Sequence, residues 1–341
     1  MSYRAAIIGC GGRGVDHARV DSEIPELELV ACCDADSERM LQFAAEFEVE
    51  GTYDDYRTMI REVKPDVLHV VTPPAVRFEP IRFAALAGVQ AIIVEKPLAL
   101  NPQECRAIWE ISKRTSCKVA VNTQGRYRPQ SARMRDLLAS GELGELEFVR
   151  ASTYGGPLAM GPHLMDTLLF ILGDVTPQAV WAAAEGLEGY EWDHGAPSHV
   201  MATYWLPDEV QVFFECTPRG MGTRGESGYW LNMHLDFWCS EGRMWASQSD
   251  TWGYELSNGE SYREDVDFYS QYLRAQAAFT RAVVDWLDDS TKVHRCNLDT
   301  ALPVIDAIFG ALLSASVGHQ VQLPAQASDR EIAAVRSALS R

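Results

Sequence analysis

Arg4-Ala5-Ala6-Ile7-Ile8-Gly9-Cys10-Gly11-Gly12-Arg13-Gly14 is a short apolar strand running into glycines at the G-x-G-x-x-G spacing. Gly9 permits the tight turn, Gly11 lets backbone approach a pyrophosphate, and Gly14 lets the following helix pack close on the sheet. That helix, expected over Gly12–Asp21, directs free N–H groups and its positive dipole end at the phosphates, with Gly12 and Arg13 in its first turn. Such a pattern alone is weak, and its context adds weight. A second strand, Leu27–Cys33, ends at Asp34, twenty positions after Gly14. An acid there accepts hydrogen bonds from the adenosine ribose hydroxyls. Asp34 and Asp36 repel a 2′-phosphate and favour NAD over NADP; Arg39, a turn into the next helix, pulls the other way.

A further apolar run, Ala91-Ile92-Ile93-Val94, ends in Glu95-Lys96-Pro97. It reads as a central parallel strand covered on both faces. Ligands of open α/β sheets bind at the carboxyl ends of the strands, so the Glu95-Lys96 pair is placed to act on one. Up to Asn122 strands alternate with helices: Ser37–Phe47, Asp54–Glu62 and Phe78–Leu86 as helices, Val67–Val71 and Lys118–Asn122 as strands. Asn101-Pro102-Gln103-Glu104 supplies an N-cap, a first-turn proline and an acid for another helix. This alternation predicts a Rossmann-type doubly wound parallel sheet over residues 1–122. From Tyr127 long strand-like runs take over, closed by helices near Phe268–Leu287 and Leu298–Val317. They predict an α+β domain over residues 123–324 with a large, mostly antiparallel open sheet. Residues 325–341 form a helical tail that starts at Ser328.

With 341 residues, 47% apolar and 23% charged, the chain is an ordinary globular one. A net charge of −18 argues against nucleic acid and anionic membranes as partners. The chain opens directly on its first strand and no apolar run reaches the length of a membrane span, so a cytoplasmic protein is expected. The eight cysteines are scattered without a C-x-x-C pair, and read as buried small hydrophobes in a reducing compartment with no metal site.

The glycine turn, Thr72-Pro73, Glu95-Lys96-Pro97, Gln124-x-Arg126 and Gly161-Pro162-His163-Leu164-Met165-Asp166 occur in an order that resembles the Gfo/Idh/MocA oxidoreductases. The resemblance covers about residues 3 to 324. It implies a dinucleotide domain plus a sheet domain, homo-oligomers (dimer or tetramer) formed through the open sheet face, and NAD(P)-dependent chemistry on sugars and polyols. By the same resemblance Thr72, Pro73, Glu95, Gln124 and Arg126 contact the cofactor, Arg126 reaching nicotinamide or substrate, and Lys96 is the catalytic lysine.

Oxidising a secondary alcohol takes a hydride from carbon and a proton from oxygen, so the protein supplies a base and stabilises the alkoxide. Lys96 does the second and shares the first, helped by desolvation of its ammonium. His163 is the better base, with an ordinary pKa near 6.5. It opens a helix expected over Pro162–Leu172, where Asp166, three residues on, shares its face and orients the imidazole or meets a sugar hydroxyl. A first-turn histidine and aspartate that merely cap the helix are the bland alternative. Inositol dehydrogenase carries an acid four residues before the histidine where this chain has Ala159. Arg77 replaces a histidine of many relatives, and reads either as an anion contact or, preferably, as a helix-start arginine in solvent. His17 reads as a packing residue of the first helix. Tyr154 and His194, the latter in the loop Trp192-Asp193-His194, are the expected substrate contacts, with Arg219–Arg224 a further loop of interest. Three functions fit: a sugar or polyol dehydrogenase or reductase, a redox-neutral NAD-retaining glycosidase or lyase, and a non-catalytic dinucleotide sensor.

Overall fold

Residues 2–188, 195–218 and 231–340 are described by the computed structural model, and the chain divides into two units. In the first, the elements alternate as β1 (Tyr3–Ile8), α1 (Gly12–Asp21), β2 (Leu27–Cys33), α2 (Ser37–Glu46), β3 (Gly51–Tyr53), α3 (Tyr56–Val63), β4 (Val67–Val70), α4 (Phe78–Leu86), β5 (Ala91–Glu95), α5 (Pro102–Thr115) and β6 (Lys118–Asn122). The six strands pair in parallel in the order β3-β2-β1-β4-β5-β6. That order reverses between β1 and β4, which opens the ligand crevice at their carboxyl ends. β4 and β5 are buried along their whole length, as expected of strands covered on both faces. The helix expected over Asp54–Glu62 begins instead at Tyr56, because the Asp55 side chain caps it by accepting from the Arg57 N–H. The three-residue β3 was not legible from so short a segment.

Tyr272–Asp299 belongs to this unit too, which a single cut after Asn122 does not anticipate. The segment returns to the free edge of β6, where Val121 N–H donates to Cys296 C=O (2.9 Å) and Ala120 bridges Asn297. An edge strand covered in this way offers no template for pairing with another chain.

The second unit holds α6 (Pro129–Ser140), β7 (Leu146–Tyr154), α7 (Gly161–Ile171), β8 (Ala179–Glu185), β9 (His199–Trp205), β10 (Gln211–Thr217), β11 (Met233–Cys239), β12 (Gly242–Ser247), β13 (Thr251–Leu256) and β14 (Ser261–Asp265), with α9 (Leu298–Val317), β15 (Val321–Gln322) and the tail helix α10 (Asp329–Leu339). Most of α8 (Phe268–Asp288) belongs to the first unit, and its first four residues to the second. The sheet has nine strands in the order β14-β13-β12-β11-β7-β10-β9-β8-β15, parallel at β7–β10 and antiparallel elsewhere. Val149, Ala151, Phe214, Leu235 and Phe237 alternate inward and form one core with Leu168 of α7 and Ile308 and Leu312 of α9. The opposite face carries Trp181, Met201 and Phe213 at 45%, 50% and 44% exposure.

α9 is long and apolar enough to cross a membrane by length and composition, with a mean hydropathy of 1.7 and half of it buried inside the protein. Asp299 and Asp306 break it into short apolar runs, so the sequence hid it. All eight cysteines are free and buried.

Candidate active site

The turn after β1 is shaped by what its glycines exclude. At Gly9, φ is +102°, and a Cβ would stand 2.4 Å from the Val71 carbonyl oxygen. At Gly14 a Cβ would stand 2.2 Å from the carbonyl oxygen of Gly9. No other residue type fits either place. Gly11 and Gly12 face open space instead, and Gly11 starts α1 with no side-chain cap, leaving first-turn N–H groups for a ligand. Asp34, at the end of β2, accepts from the Cys10 N–H (2.7 Å), the Asp36 N–H (2.9 Å), and Arg39 Nε (3.0 Å) and Nη2 (2.6 Å). Burial would raise its pKa, but Arg39 and the two N–H groups hold it below the ordinary value.

At the ends of β4 and β5 the decisive residue is Arg77, and its expected place in solvent is wrong. It is 3% exposed, and its guanidinium donates to the carbonyl oxygens of Glu95 (2.5 Å), Pro97 and Thr72. Burial pushes it down to about 10. The sequence hid this role because the partners are backbone carbonyls from separate segments. From Ala91 to Ala99 every residue is buried except Lys96, which is half-buried. Burial lowers Lys96 to about 8, against the pull of Glu95 and with the help of Arg13 and Arg77. Glu95 Oε1 accepts from Arg13 Nη2 (2.7 Å), Asn122 Nδ2 (2.8 Å) and His17 Nε2 (3.0 Å). Burial opposes its ionisation, yet Arg13 and His17 hold it well below the usual carboxylate range. His17 is more than packing, since it joins Glu95 to His69 and Asp21, which the sequence reading passed over.

In the second unit, every residue of α7 is buried except His163, which is half-buried at the helix start. Asp166, on the same helix, is paired with Arg126, whose Nε and Nη2 both lie 2.8 Å from Oδ1. Arg126 also donates to Asp174 (2.5 Å), which accepts from Arg135 (3.0 Å). Both arginines stack on Phe170. Thus Asp166, expected to orient His163 or meet a sugar hydroxyl, and Arg126, expected at nicotinamide or substrate, are brought to each other. Tyr154 is half-buried at the end of β7, its N–H donating to Asn232 C=O (2.8 Å). His194 and the stretch 219–224 lie outside the described residues.

The residues of the first unit fit a dinucleotide. Besides the open glycines and Asp34, Thr72 Oγ1 and Gln124 Oε1 are buried with no hydrogen-bond partner among the described residues. Both are atoms a bound ligand would satisfy; Pro73, beside Thr72, is exposed. Among the described residues no cluster of three His, Cys, Asp or Glu could hold a metal.

Comparison with known proteins agrees. Residues 3–123 match an oxidoreductase family with an NAD-binding Rossmann fold. The D-apiose dehydrogenase of Paraburkholderia graminis is 30% identical over 191 residues, 51% of this chain and 51% of that protein. The D-glucoside 3-dehydrogenase of Escherichia coli is 28% identical over 190 residues, 50% and 54% of the two chains. The match thus spans about half the length of these curated relatives. An oxidoreductase from Agrobacterium radiobacter, solved in complex with NAD+, L-tartaric acid and magnesium, shares the fold along 94% of this chain and 98% of its own (TM-score 0.82, 18% identity). Over residues 3–123 the chain is thus similar to an NAD-binding family of oxidoreductases, and nearly its whole length shares the fold of a solved oxidoreductase.

Proposed function

We propose that the protein moves a hydride between NAD and a secondary hydroxyl or carbonyl of a sugar, glycoside or polyol, with Lys96 and His163 as its acid/base pair. One observation carries the reading: Lys96 is the accessible residue of an otherwise buried turn, braced by Arg77, with its ammonium lowered to about 8. The names of the relatives, a D-apiose and a D-glucoside dehydrogenase, support the substrate class. Gly9, Gly11, Gly12, Gly14 and Asp34 would hold the pyrophosphate and ribose, and Thr72 and Gln124 the nucleotide beyond them. NAD, when bound, supplies the hydride acceptor. Lys96 then holds the reacting oxygen and steadies its negative charge, and His163 receives the proton. The Arg126–Asp166 pair fixes α7, and with it His163, in place. Tyr154 and His194 remain the proposed substrate contacts.

The open sheet face favours a homo-oligomer as the working form. Phe148 stacks on Trp238 at 5.6 Å there, beside the exposed Phe213, Met201 and Trp181. Eight free cysteines fit a cytoplasmic setting.

The test is NADH formation by the purified protein with NAD and a panel of sugars, inositols and glycosides. Turnover with one class is expected, with kcat/KM falling above about pH 8 as Lys96 sheds the proton its charge-steadying role needs. Lys96→Ala should lower kcat by about 100-fold or more while NAD still binds. An undiminished kcat would remove Lys96 from the chemistry. Substrate conversion without NADH would transfer the site to redox-neutral elimination.

A further inference from the structure

Behind Glu95 lies a row of buried titratable groups. His17 and Asp21 stand four residues apart on the inner face of α1, and His69 projects from β4. His17 and His69 are 0% exposed and Asp21 is 2% exposed. Three contacts join them in line: Glu95 Oε1 to His17 Nε2 (3.0 Å), His17 Nδ1 to His69 Nδ1 (3.0 Å), and His69 Nε2 to Asp21 Oδ2 (2.9 Å). The last is a close but bent approach, and neither Asp21 oxygen has a hydrogen-bond donor among the described residues.

Counting protons along this row gives a definite result. Both hydrogens of Asn122 Nδ2 are taken, by Glu95 Oε1 (2.8 Å) and Gln276 Oε1 (2.9 Å). Asn122 Nδ2 also stands 3.3 Å from His17 Nε2, but Glu95 is an ionised, acceptor-only carboxylate, so its contact with His17 uses a hydrogen on His17 Nε2. In a neutral His17, Nδ1 then carries a lone pair, so the Nδ1–Nδ1 contact requires a hydrogen from His69. A neutral His69 protonated at Nδ1 turns its Nε2 lone pair on Asp21, and two lone pairs do not sit 2.9 Å apart without a proton between them. Either Asp21 is a carboxylic acid or one imidazole is an imidazolium. The alternative, an ionised Asp21 sealed from water beside two neutral rings, leaves a buried charge without compensation.

We infer that Asp21, His69 and His17 form a buried proton-binding site, holding one proton more than two neutral imidazoles and an ionised carboxylate carry. The proton has three resting places along the row. Asp21 O–H passes to His69 Nε2, His69 Nδ1–H to His17 Nδ1, and His17 Nε2–H stays on Glu95. Burial presses His17 towards its neutral form, against the hydrogen bond to Glu95. The other charged groups at the row's end are Glu95, Arg13 on it and Lys96 after it, with Asp16 and then Tyr272 of α8 beyond Arg13. The site is a pH-dependent clasp: it pins the nucleotide helix α1 to β4 and β5 while filled, and loosens when the proton leaves.

The consequence is a linkage between folding and pH. In the unfolded chain Asp21 is ionised and both histidines are neutral above about pH 6.5. The folded chain therefore binds one proton more, and the site's contribution to stability falls as pH rises. Asp21→Asn is isosteric, and its amide donates to His69 Nε2 with no stored proton. Measured by urea unfolding of the full chain from about pH 7 to 9, the unfolding constant of wild type relative to Asp21→Asn should grow about tenfold per pH unit. A ratio that does not change with pH overturns the site. On the wild-type protein, labelled with ¹⁵N-histidine and ¹³C-aspartate, NMR should show a protonated Asp21 carboxyl or an imidazolium at neutral pH. Two neutral imidazoles beside an ionised carboxylate would refute the inference. Neither readout depends on turnover, so a failure of the catalytic reading of Lys96 leaves both intact.

Discussion

Three backbone carbonyls, those of Thr72, Glu95 and Pro97, converge on the guanidinium of Arg77. A planar fork of donors meets that geometry; a lysine ammonium does not. Arg77→Ala strands buried acceptors and should destabilise the fold by about 3 kcal/mol in urea titrations. Arg77 holds the carbonyls on either side of Lys96, so with the role proposed for that lysine kcat should fall about 100-fold in steady-state assays, beyond what a stability loss explains. Asp34 gives a different prediction. Its carboxylate holds Arg39 by two contacts, so the arginine is turned away from any 2′-phosphate. Asp34→Ala removes the proposed ribose acceptor and releases Arg39. The ratio of kcat/KM for NADP to that for NAD should rise about 100-fold, two charge-assisted hydrogen bonds of about 1.5 kcal/mol each. An unchanged ratio would show that the acid does not choose the cofactor.

Among the elements, α7 shows how a helix can be legible while its fastenings are not. Its start at a proline and its apolar length were plain in the sequence, and so was the histidine that opens it. That Arg126 would seal Asp166 was not, because forty residues separate them and ion pairing leaves no periodic trace. Arg126→Met should cost about 3–5 kcal/mol, the penalty for stranding a buried carboxylate, measured as a lower unfolding midpoint. The Rossmann strands were readable from apolar runs between glycine punctuation. β14, exposed at every position and reading Ser-Tyr-Arg-Glu-Asp, offered no such signal. The row through His17, His69 and Asp21 stayed hidden for a related reason. Two polar residues on a polar helix and one in an apolar strand look alike whether they face water or one another.

For the molecule as a whole, the second sheet is half core and half surface. One face closes over α7 and α9, and the other presents aromatic residues to solvent. Phe213→Asp places a charge at the middle of that face. Sedimentation velocity should then show the mass of a single chain, with the near-ultraviolet dichroism of the folded protein retained; an undisturbed oligomer would place the interface elsewhere. The return of Tyr272–Asp299 to the first unit has a consequence for biosynthesis. During translation β6 emerges long before the segment that covers its edge, with almost the whole nine-stranded sheet made in the interval. At ordinary elongation rates of about 5–20 residues per second, that edge waits roughly ten to thirty seconds. A nascent chain of this protein therefore carries an open strand edge past the ribosome exit. Chaperones that bind such edges have a defined window in which to act, one that closes as residue 299 clears the tunnel.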